Sequence, residues 1–170
     1  MSHQLLMALF EDVSAAAGAA RELHALGVDR ADLSVVARDH SVEGDIASQI
    51  DASPGSEIED SSTAARLGEL GGYVLAAIAI GLPGTGALVA AGPLAAELSE
   101  AAGHAAGDLK AALLRTGLPA SDAEHWRAQI ASGKAILLGA HARTADPAKV
   151  EMAMLRHSTG RVVHTEWNAD

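Results

Sequence analysis

The chain has 170 residues, the length of one ordinary domain or of a small domain carrying an insertion. Hydrophobic residues make up 49% but aromatics only 2%, so any core must be built mainly from alanine and aliphatic side chains. Cysteine is absent, which excludes disulfides, thiolate metal sites and cysteine nucleophiles, and a net charge of −10 opposes binding to nucleic acid or to anionic lipid.

Met1 to Phe10 has no basic stretch followed by a small-residue cleavage site, so a cytoplasmic protein is expected. The run Gln4 to Phe10, apolar from Leu5 onward, is long enough for a buried strand and too short for a helix. Asp12 can cap an alanine-rich helix over Val13 to Leu26, with Val13, Ala16, Ala20 and Leu23 on one face and Gly27 as its left-handed stop. Leu33 to Ala37 reads as a second strand, ending at Arg38 and Asp39.

The composition then changes. Asp39 to Asp60 holds seven acidic residues and no Lys or Arg, and residues 39–62 read as an acidic linker. Val42, Ile46 and Ile50 suggest one short helix within it. From Gly71 to Ala96 there are 26 residues without a formal charge, broken at Pro83-Gly84-Thr85-Gly86. The expectation is a helical hairpin with arms at 63–82 and 87–116, part of an insertion over 63–132. Gly68 and Gly72, and likewise Gly103 and Gly107, lie four apart and would let helices approach closely, which makes them the candidate oligomer interface.

Gly117-Leu-Pro119 closes that hairpin, and Ser121-Asp-Ala-Glu124 has the form of a capping box for a helix over 121–132. Lys134 to Ala142 is an apolar third strand. Asp146-Pro147 opens a helix over 147–158, and Arg161 to Trp167 alternates as a half-exposed fourth strand would.

Residues 4–38 and 134–168 are therefore two β-α-β units. Together they predict an α+β, ferredoxin-like split β-α-β domain from 1–38 and 134–170, four strands in the order 4-1-3-2 with strands 1 and 3 parallel neighbours. The helical hairpin is inserted between strands 2 and 3.

Several stretches resemble the small bacterial general-stress and heat-induced stress proteins: Ala8-Leu-Phe-Glu-Asp12, Leu33-Ser-Val-Val-Ala-Arg38, Leu82-Pro-Gly-Thr-Gly86, Ala90-Ala-Gly-Pro-Leu-Ala95, and Gly117-Leu-Pro119 before an acidic helix with Trp126. That resemblance implies ferredoxin-like ends around a glycine-rich apolar centre. It implies no catalytic residues.

The constellations with ligand or catalytic residue types are incomplete. Gly81-Leu-Pro-Gly-Thr-Gly86 is followed by Ala87 and Leu88, where a phosphate loop needs Lys and Ser or Thr. Glu100, His104 and Asp108, four apart, would share a helix face and form the candidate metal ligands. The eight histidines are scattered, with His141 and His164 near the ends of different strands. No nucleophile elbow occurs, and Trp126 and Trp167 are expected to fill packing gaps.

The reading these features favour is a non-enzymatic stress-response protein, without cofactor, that self-associates as a homodimer or higher homo-oligomer. Two alternatives stay open: a membrane-associated protein using 71–96 as a re-entrant hairpin, and a small-ligand or metal-binding module.

Overall fold

The computed structural model describes residues 2–38, 78–82, 85–102 and 108–168. The acidic stretch 39–62, its suggested helix around Val42, Ile46 and Ile50, and the first hairpin arm up to residue 77 lie outside the described residues.

The first strand, β1 (Ser2–Phe10), is apolar from Leu5 to Phe10, where both of its faces are covered. Asp12 then caps α1 (Val13–Ala25), its Oδ1 accepting from the Ala15 amide at 2.8 Å. The buried face of α1 is Ala16, Ala17, Ala19, Ala20 and Leu23. Gly18 sits where a Cβ would stand 3.0 Å from the His157 ring, so a larger residue at that position would have to push the ring aside. Gly27, at φ 94°, turns the chain, and the Val28 amide bonds the Leu23 carbonyl at 3.1 Å. A 3-10 turn (Arg30–Asp32) leads into β2 (Leu33–Arg38).

The centre of the chain departs from the expected helical hairpin. Two antiparallel strands stand there instead, β3 (Ile78–Leu82) and β4 (Gly86–Ala91). They are followed by two short helices, α2 (Pro93–Ala102) and α3 (Leu109–Arg115). The physical reason lies on both sides of β4. Val35 to Arg38 of β2 offers an unpaired rim that Leu88 to Ala91 fills in antiparallel register. A continuous helix would also have to pass through Gly92-Pro93, and proline removes an amide and clashes with the preceding turn. Gly92 takes φ 79°, and Pro93 occupies the first position of α2, where its missing amide costs nothing. The Ser34 hydroxyl of β2 accepts from the Leu94 amide at 3.1 Å, supplying the cap from across the fold.

Then come α4 (Ala120–Ala131), β5 (Ile136–Ala142), α5 (Pro147–Leu155) and β6 (Val163–Asn168). The capping box expected at Ser121 and Glu124 does not form. The chain turns into α4 at Pro119, with no side-chain cap bond, and Glu124 pairs with Arg127 at 2.6 Å and Lys110 at 3.4 Å. Asp146 does cap α5, accepting from the Ala148 amide at 3.0 Å.

Among the described residues the strands form one six-stranded sheet in the order β3-β4-β2-β5-β1-β6, rather than a sheet of four. Every pairing is antiparallel. The parallel pairing expected between the first strand and 134–142 is therefore corrected. The crossover through α1 returns the chain so that β1 and β2 run the same way, and β5 lies between them, antiparallel to both.

Helices cover both faces. Leu6, Ala8, Phe10 and Leu138 face one core with Ala20 and Leu23 of α1 and Val150 and Met154 of α5. Leu5, Met7, Leu9 and Leu137 face the other with Leu94, Leu98, Leu109, Leu113, Trp126 and Ile130. Leu88, Val89 and Ala90 are fully buried, so the uncharged stretch contributes to the chain's own core.

Candidate functional site

Among the described residues the sheet has two rims. At one end, β6 carries His164 and Glu166, polar groups of the kind that blunt an exposed strand. His164 also reaches Glu151 of α5 at 2.9 Å. At the other end is β3, Ile78-Ala-Ile-Gly-Leu82, whose sequence contains no charge, and its inner neighbour β4 has none either. One side of β3 pairs with β4 in the register Ile78 to Ala90 through Leu82 to Gly86, and among the described residues no strand pairs with its other side. Ile80 and Leu82 are buried, while Gly81 is exposed with open space around the position of a Cβ. This rim offers main-chain donors and acceptors with none of the charges or prolines that discourage pairing with another strand.

The residues picked from sequence fall differently. Gly68, Gly72, Gly103, Gly107 and His104 lie outside the described residues. Glu100 and Asp108 do not share one helix: α2 ends at Ala102, and Asp108 caps the separate helix α3, its Oδ1 accepting from the Ala111 amide at 2.7 Å. Glu100 pairs instead with Arg115 at 3.1 Å, beside Glu97 at 3.2 Å from the same guanidinium. Among the described residues no group of three or more His, Asp or Glu side chains is placed to hold a metal ion. Gly81 lies on β3 and Gly86 on β4, and of the two Gly86 takes a left-handed backbone, at φ 91°.

A cluster that sequence reasoning did not assemble lies where β1, β5 and β6 end together. The His3 Nε2 and His141 Nδ1 atoms are 2.8 Å apart. The Trp167 ring meets the His141 ring edge-on at 5.0 Å. His141 is 1% exposed, and its Nε2 has no hydrogen-bond partner among the described residues. Burial, then the nearby His3, pushes the His141 imidazole down to about 4. Burial also lowers His3. Both rings are thus neutral near pH 7, one donating to the other. Next to them, Arg143 donates to Asp32 at 2.6 Å. The strand-end position of His141 is visible in the sequence, but its pairing with His3 follows only from strand register.

Among the described residues no helix is long and apolar enough to cross a membrane. No protein-family model, curated protein or solved structure matches the chain.

Proposed function

We propose that this chain is a non-enzymatic, ferredoxin-like stress-response protein that works by self-association, with the β3 rim as the contact between copies. The observation that carries this reading is the uncharged rim strand Ile78 to Leu82, set against a charged rim at β6. Two β3 strands meeting antiparallel about a two-fold axis would satisfy each other's main chain and join two sheets into one. Such isologous pairing is the commonest form of homodimer. The stress-response part rests on the sequence resemblance in the strands, the glycine-rich hairpin and the Trp126 helix.

The test is Gly81→Lys. Gly81 is exposed and its backbone suits an ordinary residue, so the lysine adds no strain to the protomer. It does place a cation at the rim of each copy, and like charges brought together at an interface cost several kcal/mol. The dimer dissociation constant should rise by about 100-fold or more, at 1.4 kcal/mol per decade. Sedimentation over a concentration series should show an oligomer for wild type and a monomer for the variant, with unchanged circular dichroism. A wild type that is monomeric at every concentration rules the reading out.

A further inference from the structure

We propose that the His3–His141 contact, closed over by Trp167, is a proton-operated latch that holds the ends of β1 and β6 onto β5 in neutral solution and releases them in acid. The geometry assigns this role. The β1–β5 ladder ends at Gln4 opposite Ala142, and His3 lies one residue beyond it. Past the ladder, the 2.8 Å nitrogen contact is what ties the end of β1 to β5. On its other side His3 is paired with Trp167, so the same contact secures the end of β6.

A contact between two imidazole nitrogens needs one to carry a proton and the other to lack one. A first proton on His3, the less buried ring, leaves that arrangement intact. A second, on His141, sets two N–H groups against each other and two like charges side by side. It also puts a cation where the Nε2 of His141 finds no acceptor. The other charges nearby do not relieve this. Asp32 favours the protonated ring, Arg143 opposes it, and the two are bonded to each other. The amino-terminal charge further opposes protonation of His3. On β6, His164 bonds Glu151 and approaches Gln4 at 3.5 Å, and Glu166 shares that other face of the sheet.

The sign follows from linkage. The closed form holds His141 at about 4 and the released form at its ordinary 6.5, so protons bind the released form preferentially. The latch is fully retained above pH 6.5 and is weakened progressively as the pH falls toward 4. Over that window the opening equilibrium rises by about 80-fold from His141 alone.

The experiment uses the full chain carrying Trp126→Phe, which leaves Trp167 as the single indole reporter. Trp167 emission and hydrogen exchange of amides 2–5 and 164–168, corrected for intrinsic rates, are followed from pH 7.5 to 4.5. Far-UV circular dichroism tracks the global fold. The expected result is opening of these amides with falling pH while the helical signal persists. His141→Leu should abolish the response. His3→Gln, at the less buried position, keeps an acceptor for a protonated His141 and should leave less than about a tenfold change. The proposal is overturned if the strand ends open only together with the whole protein, or if either variant keeps the full pH response.

Discussion

A methyl group at Gly92 would stand 2.0 Å from the Leu33 carbonyl oxygen, in a backbone already at φ 79°. The contact is with main chain, so no side chain can swing away to relieve it. Gly92→Ala should therefore destabilise the protein by about 3 kcal/mol or more, from strain at a left-handed position plus displacement of β4 from β2. Gly81→Ala is the internal control, since Gly81 has open space and an ordinary backbone. It should stay within about 0.5 kcal/mol of wild type, as surface substitutions do. Urea unfolding of the two variants decides the matter: equal midpoints would mean that the Gly92 turn relaxes and the tight β2–β4 join is not needed. The sequence shows Gly92 only as one glycine among many. Its meaning comes from the carbonyl of Leu33, far away in the chain. The same holds for His3 and His141, which are 138 residues apart and meet because β1 and β5 align at a particular register.

The elements whose boundaries carry their own chemistry were legible in the sequence. Asp12 before α1, Asp146-Pro147 before α5 and Gly27 after α1 each mark an end by a local hydrogen bond or backbone preference. The stretch after residue 77 was not, because strands buried on both faces lose the alternation that identifies them, and Gly-Ala-Leu-Val-Ala-Ala reads equally as helix. The signals that separate the two were punctuation: Pro83-Gly84 in the sequence before Gly86, and Gly92-Pro93 at the start of α2. One determinant of α2 has no local trace at all, the Ser34 hydroxyl that caps it from β2. Ser34 is fully buried, so Ser34→Ala leaves the Leu94 amide without an acceptor and should cost about 1–3 kcal/mol. Asp108→Ala, at the more accessible cap of α3, should cost about 1 kcal/mol. Denaturant titration gives both values. Exchange at the Leu94 amide should quicken in Ser34→Ala but not in Asp108→Ala. If Ser34→Ala proves silent by both measures, α2 is held by its apolar face rather than by this cap.

On the scale of the whole molecule, one sheet serves two cores. Leu137 and Leu138 are adjacent on β5, fully buried, and point to opposite faces. Leu137 packs in the core with Trp126 and the helices of the central segment, and Leu138 in the core with α1 and α5. A sheet faced on both sides cannot lose one layer cheaply, because the exposed face is as apolar as the buried one. Leu137→Ala and Leu138→Ala should therefore each cost about 2–5 kcal/mol, the range for deleting a buried leucine side chain. More tellingly, each should shift the whole unfolding transition. Trp126 emission reports one core, and exchange of the α1 amides reports the other. In a Trp167→Phe background, both probes should move to the same lower denaturant midpoint in either variant, as two-state unfolding requires. If Leu138→Ala loosens α1 while the Trp126 transition stays in place, the two layers are separate cooperative units. The central segment would then be an appended layer on a smaller four-stranded domain, and β3 could detach with it. That outcome would also change how Gly81→Lys is read, since a rim that peels away with its own layer can exchange between copies rather than pair edge to edge.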